Sequence, residues 1–456
     1  MLEYFNKLTG VSYPFEKYDQ VIVSEFMWGG MENITLTHNT DRTMHDSKAQ
    51  PDHSSDGLVA HELAHQWYGN MITTRNWANI WLNEGFATYF SRLYLTRDRG
   101  KDEGDYIRFN EIRGFKSADK RKRRPTVDYN YEEPFELFSS HVYAKGSLIL
   151  NMLHDVLGDD AFWRSIKHYT AKNKLKNVET VDLKKSIEVT TGQNLDWFFK
   201  QWVYEPGFPD YDVSWTYNQR NKLLSLRVKQ IQDLKTTSLF KMPINVLIDN
   251  GTIEEHVIWV EDLDSVFKIH TDKRPKMVVF NSGLKVPSNL KMQKSVSDLK
   301  YQLVNAPNVL DRIWASQQLS KKKGRKIVEY ALSESAKRDS FWAVRSEAYS
   351  SLGKLKTKAN QEDFQWIKNN EKDNRVKRSF ILSLRHQLND NDVSRFLEDI
   401  IISDTSYYAI SDAIRILSII DSSKAKSHVS NGPSACTYQK RFSAILNITP
   451  SMKMPP

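Results

Sequence analysis

The stretch His61-Glu62-Leu63-Ala64-His65 constrains this chain more than any other feature. Two histidines four residues apart on a helix lie on one face, about 6 Å apart along the axis. Both imidazoles can then reach a single zinc ion at about 2.0–2.1 Å. Glu62 points to the same side of the helix and can act as a general base without binding the metal. The pattern therefore predicts a helix that carries a zinc site.

The ends of this helix can also be predicted from the sequence. Ser54, Ser55 and Asp56 are candidate N-caps, and Gly69 is a candidate stop signal. The same pattern would suit a buried helix with two hydrogen-bonded core histidines. The residues further along the chain decide between the two interpretations.

Eighteen residues separate a candidate third ligand, Glu84, from His65. Apolar residues recur at helical spacing from Phe86 to Leu93, which predicts that Glu84 opens a second amphipathic helix. The intervening residues leave room for a loop and a short extended piece over 71–74. Two histidines and one glutamate leave the fourth zinc position open to water, which is typical of catalytic sites. The predicted ligands of one zinc ion per chain are His61, His65 and Glu84.

Two further motifs flank these helices. Gly29-Gly30-Met31-Glu32-Asn33 lies upstream, and Tyr143-Ala144-Lys145-Gly146 lies downstream. Together with the N-E-G-F-A stretch around Glu84, they resemble the aminopeptidase N and leukotriene hydrolase family of gluzincin zinc metallopeptidases. The first motif is similar to the family's G-[AG]-M-E-N exopeptidase motif, and the second is similar to its Y-x-K-G segment. The resemblance covers most of the chain.

The resemblance implies a zinc aminopeptidase that hydrolyses the N-terminal bond of peptides with a free N-terminus. Glu62 would activate the attacking water at the zinc, and Tyr143 would donate a hydrogen bond to the oxyanion of the transition state. Glu32 would bind the α-ammonium group of the substrate. Backbone groups for the extended substrate, and the floor of the pocket for its first side chain, would come from Gly29, Gly30, Met31 and Trp28.

Two other functions fit part of the pattern. A leukotriene-type epoxide hydrolase shares every motif, but those enzymes carry another tyrosine five residues before the catalytic one, where this chain has Phe138. A non-catalytic peptide-binding scaffold is the second alternative. The presence of all five predicted metal and catalytic residues argues against it, because a protein that had lost the chemistry would have no reason to keep them.

Composition bounds the class of protein and its partners. The 456 residues, 40% of them hydrophobic, suffice for two to four domains. A net charge of +9 comes partly from basic runs at 120–124 and 321–326, which we interpret as solvated loops, so we expect no nucleic-acid partner.

No apolar run reaches the length of a membrane span. The first residues lack the pattern of a signal peptide. With Cys436 as the one cysteine, no internal disulfide can form. Compartment and oligomeric state stay open.

The pattern of the chain predicts a multidomain α+β protein. We expect a thermolysin-like zinc peptidase domain over 1–209, in which Tyr143 begins a helix that ends at Gly158. Alternating residues after Tyr211, with a hairpin at 249–251, predict a small antiparallel β-sandwich over 210–290. Amphipathic segments about 32 residues apart predict a helical repeat domain of the HEAT or armadillo type over 291–456. These segments are 341–355, 373–388 and 406–420.

The resemblance also bears on the ends of the chain. In the resembled family a large β-rich saddle domain precedes the first motif, and we therefore expect this chain to be incomplete at its N-terminus. The helical pattern is expected to fail after Lys426, and the stretch 430–434 is expected to form a loop without a cap for a helical array. We therefore expect the C-terminus to be incomplete as well.

Overall fold

Helices and small sheets together make a mixed α/β fold in the computed structural model, which describes residues 1–431. The helices are α1 (Leu2–Thr9), α2 (Asp56–Ala64), α3 (Trp81–Arg99), α4 (Lys101–Arg121), α5 (Ala144–Leu157), α6 (Asp159–Lys172), α7 (Thr180–Thr191), α8 (Asp196–Phe199), α9 (Val296–Asn305), α10 (Val309–Leu319), α11 (Lys326–Arg338), α12 (Trp342–Leu355), α13 (Gln361–Asn369), α14 (Asn374–Ser383), α15 (Asn391–Ser403), α16 (Tyr407–Ile420) and α17 (Ser422–Asn431). The strands are β1 (Asp19–Val23), β2 (Gly30–Met31), β3 (Leu36–Thr40), β4 (Thr73–Thr74), β5 (Asn177–Val178), β6 (Asp210–Asn218), β7 (Leu223–Gln230), β8 (Met242–Asp249), β9 (Ile253–Val260), β10 (Asp264–His270), β11 (Met277–Phe280) and β12 (Asn289–Met292).

The chain divides into two compact units. The first comprises residues 1–44 and 55–312, and the second comprises residues 45–54 and the chain from 313 onward. The predicted division into 1–209, 210–290 and 291–456 is finer than this and stays a prediction. Within the described part of the chain, none of the helices has both the length and the apolar character needed to cross a membrane.

In the first unit, α2 carries the H-E-x-x-H motif and α3 carries Glu84. α3 also crosses α5 at close range. Gly85 and Gly146 meet at this crossing, where a Cβ added to either glycine would lie 2.8 Å from the Cα of the other. The helix backbones can approach this closely only because neither residue has a side chain. On its other side, α3 packs Phe86 against Tyr68, with ring centroids 4.3 Å apart.

Small sheets complete the first unit. β1 and β3 are parallel neighbours and β2 pairs antiparallel with β3, which places the Gly29 motif at the edge of a three-stranded sheet. The alternating segments after Tyr211 form two further sheets, in the orders β10-β7-β6-β12 and β11-β8-β9. The predicted hairpin is confirmed, because Asp249 pairs with Ile253 across the turn. The pairing is not wholly antiparallel as predicted, since β12 returns parallel to β6.

The second unit is mostly helical. The three predicted segments are confirmed as α12, α14 with a short 3₁₀ turn, and α16, and the predicted starts at Asp373 and Ser406 are side-chain N-caps. α11, α13 and α15 lie between them in sequence. Aromatic rings of neighbouring helices interlock, with Tyr349 and Phe380 5.1 Å apart. The expected failure of the helical pattern after Lys426 is wrong as far as Asn431, where α17 ends; most of the predicted 430–434 loop and Cys436 lie outside the described residues.

One short piece of chain belongs to the second unit although it lies between β3 and α2 in sequence. The side chain of Asp52, in this 45–54 segment, is fully buried and forms an ion pair with Arg378 at 2.7 Å. Arg378 also pairs with Asp412 at 2.7 Å, and the hydroxyl of Tyr407 donates to Asp46 at 2.7 Å. These charge-assisted contacts hold the 45–54 segment against the helices of the second unit, although its sequence neighbours belong to the first.

Candidate metal centre

α2 carries the H-E-x-x-H motif and has Ser55 as its N-cap, as predicted, but the predicted stop at Gly69 is wrong. The helix ends at Ala64, with His65 as the C-cap, and does not continue to Gly69. Ser55 occupies the N-cap position without a side-chain capping bond, because its hydroxyl donates to the carbonyl oxygen of Thr43 at 3.0 Å.

The structure brings the three predicted ligands together. The distance from His61 Nε2 to His65 Nε2 is 3.1 Å, and the distances from these atoms to Glu84 Oε2 are 3.3 and 3.2 Å. Four ligand atoms placed tetrahedrally at about 2.0–2.1 Å from a zinc ion lie about 3.3 Å from one another. The three side chains therefore match three corners of a zinc tetrahedron, and the fourth corner is left for a non-protein ligand.

The tautomer of His65 also suits metal binding. Its Nδ1 lies 2.9 Å from the carbonyl oxygen of Tyr68, which can only accept, so Nδ1 carries the proton and Nε2 keeps its lone pair for a metal. Gly69 makes this arrangement possible. A Cβ at this position would lie 2.9 Å from His65 Nδ1, and its φ of 141° favours glycine.

The electrostatics of the site favour positive charge. Glu32, Glu62 and Glu84 surround His65, and although burial opposes the charged imidazolium, these carboxylates raise the pKa of His65 to about 10. Burial likewise opposes ionisation of Glu84, but the two histidines lower its pKa to about 2. The carboxylates around the two imidazoles therefore make the site favourable for a cation, and binding of a divalent ion there would release protons.

Glu62 lies beside the ligand cluster without belonging to it. Its side chain is buried, and burial raises the pKa of its carboxyl group against the attraction of His61 and His65. The carboxylate occupies the space that a Cβ of Gly30 would need, so the glycine of the first motif leaves room for it. This placement suits a general base, which needs a raised proton affinity near the reacting water.

Tyr143 reaches the site from the N-cap of α5, and this helix ends at Gly158 as predicted. Its ring stacks on His61 with the centroids 6.1 Å apart. Burial raises the pKa of the phenol, and the carboxylates of Glu84, Glu32 and Glu62 raise it further. The phenol therefore stays protonated as a hydrogen-bond donor throughout the neutral range.

The exopeptidase-like motif lies against the end of α2. Glu32 Oε1 is 3.9 Å from His65 Nδ1, and the Glu32 carbonyl oxygen accepts hydrogen bonds from Gln66 Nε2 at 3.3 Å and from Asn70 Nδ2 at 2.6 Å. Sequence analysis did not identify Gln66 and Asn70. Their positions one and five residues after the second motif histidine are the only sequence signal that could have suggested this role.

Aromatic side chains line the approach to Tyr143. Trp28 stacks nearly parallel on Phe135 at 5.8 Å, Phe135 lies 6.2 Å from Phe138, and Phe138 lies 6.4 Å from Tyr143. Trp77 lies 6.0 Å from Phe138. Trp28 is 40% exposed, so it is a surface residue and not part of the core.

Other histidines near the motifs lie outside the cluster. The rings of His53 and His45 are 4.8 Å apart, His141 is buried near Asp119, and His154 stacks on Phe162 at 4.3 Å. Each of them packs against a neighbouring side chain.

Comparison with known proteins shows that this chain is similar to peptidases. Residues 1–202 match the model of the peptidase family M1 domain. Leucyl aminopeptidase of Saccharolobus solfataricus is 28% identical over 307 residues, which cover 63% of this chain and 39% of that protein. Aminopeptidase M1-A of Oryza sativa is 34% identical over 222 residues, which cover 46% of this chain and 25% of that protein.

A solved structure shares the fold over nearly the whole chain. The crystal structure of Legionella pneumophila aminopeptidase A in complex with aspartic acid superposes with a TM-score of 0.68 at 18% identity, covering 94% of this chain and 52% of that one. The chain thus spans about half of that structure and 25–39% of the curated relatives cited above. Residues 1–202, which carry the zinc-motif helices, therefore match a peptidase family M1 domain, and the chain shares its fold with the Legionella aminopeptidase A structure.

Proposed function

We propose that the protein is a zinc-dependent aminopeptidase that hydrolyses the N-terminal bond of peptides with a free N-terminus. The observation that carries this proposal is the triangle of ligand atoms, 3.1–3.3 Å on each side, formed by His61, His65 and Glu84. Glu62 and Glu32 lie beside this triangle, where one can serve as a base and the other can bind an amine.

His61, His65 and Glu84 would hold the ion. When bound, zinc would lower the pKa of water and polarise the scissile carbonyl group. The Glu62 carboxylate would take a proton from the attacking water and pass it to the leaving amine. The Tyr143 hydroxyl would donate a hydrogen bond to the developing oxyanion.

The first motif would determine that the enzyme acts on chain ends. Glu32 would form a charge-assisted contact with the α-ammonium group, and an internal peptide bond offers no such group to a partly buried carboxylate. Gly29, Gly30 and Met31 would offer backbone groups to the extended substrate. β2 has β3 as its neighbour on one side, so its other edge is a candidate for this contact.

The finer fold assignments are part of the same proposal. We propose a thermolysin-like domain over 1–209, a β-sandwich over 210–290 and a HEAT-like helical domain from 291 onward. The repeat proposal is supported by the starts of α12, α14 and α16, which are 32 and 33 residues apart.

Zinc content and substrate class test the proposal directly. Purified protein should contain one zinc per chain and hydrolyse amino-acid p-nitroanilides. It should leave a leukotriene-type lipid epoxide unchanged, in line with Phe138 at the position of the second tyrosine. Epoxide turnover without anilide turnover would favour the hydrolase alternative, and zinc-free protein that binds peptides without cleaving them would favour the scaffold alternative.

Glu32→Ala should raise KM for amino-acid anilides more than it lowers kcat. Loss of a charge-assisted contact costs roughly 1.5–3 kcal/mol, or about one to two decades in affinity. N-acetylated anilides should be hydrolysed equally poorly by both proteins, because they bring no ammonium group to Glu32. Steady-state kinetics on free and acetylated substrates measure this, with the exposed Glu16→Ala as the control. An unchanged preference for free amines in Glu32→Ala would exclude Glu32 as the amine site.

Trp28→Ala should widen the preference for the first substrate side chain. The indole and the ring of Phe135 take up volume beside the site, so the unmodified protein should prefer small or slim N-terminal residues. Removing the indole should raise the relative kcat/KM for large residues by roughly tenfold. A panel of anilides tests this, with Trp259→Ala as the control because Trp259 is comparably exposed on β9. Aromatic N-termini as the best substrates of the unmodified protein would contradict the prediction.

A further inference from the structure

A group of buried charged side chains lies behind the loop that leads into Tyr143. The side chain of Asp119, near the end of α4, is fully buried and accepts a hydrogen bond from Arg123 Nε at 3.0 Å. Its other carboxylate oxygen lies 3.5 Å from Nε2 of His141, which is buried as well. Lys145, the second residue of α5, is also fully buried. The proposed mechanism uses none of these side chains.

Arg124 connects this region to the loop. Its Nη2 donates to the carbonyl oxygen of Leu137 at 2.7 Å and to Ser139 Oγ at 2.7 Å. The residue is 5% exposed, and these two acceptors are a carbonyl and a hydroxyl rather than a carboxylate. Burying a guanidinium group costs free energy, so the burial of Arg124 needs a structural reason. Its contacts indicate that it holds Leu137 and Ser139 in place.

Hydrogen bonds of Ser139 connect the Arg124 side chain to the backbone of Tyr143. Its carbonyl oxygen accepts the backbone N–H groups of Val142 at 2.9 Å and Tyr143 at 3.3 Å. Its hydroxyl accepts the N–H of His141 at 3.3 Å as well as the bond from Arg124. A shift of Ser139 would therefore shift the backbone from which the Tyr143 side chain projects.

We infer that Arg124 and Ser139 are positioning residues that hold Tyr143 in place to donate to the oxyanion. The inference rests on the proposed function of Tyr143. Both bonds come from the N–H groups of Arg124 Nη2, whose directions are fixed in the guanidinium plane and so define the position of the loop, whereas the rotatable ammonium group of a lysine would leave the loop free to turn. Displacement of a catalytic group by about 1 Å can cost up to 10²-fold in rate, so a modest shift of the loop should be measurable.

Arg124→Lys tests the inference, with Ser139→Ala as a milder variant that removes only a hydroxyl. Both should keep one zinc per chain and a near-normal KM for amino-acid anilides. We expect kcat to fall by about tenfold in Arg124→Lys, and less in Ser139→Ala. Arg121→Lys, an exposed change at the last residue of α4 and three positions before Arg124, should leave kcat unchanged.

A double-mutant cycle with Tyr143→Phe separates positioning from general support of the fold. If Arg124 acts through the Tyr143 hydroxyl, Arg124→Lys should lower kcat in the natural background and have little further effect in Tyr143→Phe. The inhibition constant of a phosphinic dipeptide, which resembles the tetrahedral intermediate, should show the same pattern without depending on residual turnover.

The outcomes are distinguishable. Equal losses in both backgrounds would show that Arg124 only supports the fold, and unchanged kcat in Arg124→Lys and Ser139→Ala would likewise overturn the inference. If Arg124→Lys does not fold, the Ser139→Ala cycle gives the same decision. Near-normal kcat in Tyr143→Phe alone would instead refute the proposed role of Tyr143.

Discussion

His65→Ala is expected to lose bound zinc and anilide hydrolysis together. The change leaves two protein ligands, His61 Nε2 and Glu84 Oε2, which is fewer than the three that catalytic zinc sites use. It also removes the side chain around which Glu32, Glu62 and Glu84 gather, and leaves these three carboxyl groups close together without the imidazole between them. Metal analysis after dialysis and steady-state kinetics measure the two losses.

The matched control for this change is His154→Ala. This ring stacks on Phe162 and lies outside the ligand cluster, so its variant should keep a full equivalent of zinc and normal turnover. Circular dichroism of both variants establishes that they are folded. A full equivalent of zinc in folded His65→Ala would show that the ligand set is wrong.

Glu62→Gln should have the second-largest effect, and its pattern should differ. The glutamine keeps the shape of the side chain beside Gly30 but cannot accept a proton, and it removes no predicted ligand. Zinc content should stay at one per chain while kcat falls by roughly 10²–10⁴-fold, the usual range for general acid–base assistance. KM should change little, because proton transfer contributes to the transition state rather than to binding.

Metal content and kcat measured on one preparation decide this prediction. Glu3→Gln, an exposed change on α1, serves as the control for the chemistry of the substitution. If Glu62→Gln keeps a near-normal kcat, the base must be another group. If it loses zinc, Glu62 belongs to the ligand set and its role as a free base is wrong.

Much of the local structure can be predicted from the sequence alone. The spacing of His61 and His65 places both rings on one helix face, and apolar spacing predicts α3, although it starts at Trp81 rather than at Glu84. Period-two alternation predicts β6, β7 and β9, and the turn residues at 249–251 predict the hairpin between β8 and β9. These signals are local, because helix and strand periods and turn chemistry each depend on a few consecutive residues.

Contacts between residues distant in sequence determine how helices approach one another and which strands pair, and local patterns do not predict these features. The close contact of Gly85 with Gly146 brings α5, and Tyr143 at its N-cap, near to α3. The parallel return of β12 to β6 joins residues 79 positions apart, a pairing that alternation along one strand does not specify.

The 45–54 segment shows most clearly the difference between what the sequence predicts and what the tertiary structure determines. Its sequence reads as a linker between β3 and α2, but the ion pair of buried Asp52 with Arg378, 326 residues away, assigns it to the helical unit. The sequence by itself determined which side chains could bind a zinc ion and on which elements they lie. The tertiary structure decided which distant partners, such as Arg124 behind Ser139, fix their positions, because hydrogen bonds and ion pairs between distant residues leave no periodic signal in the chain.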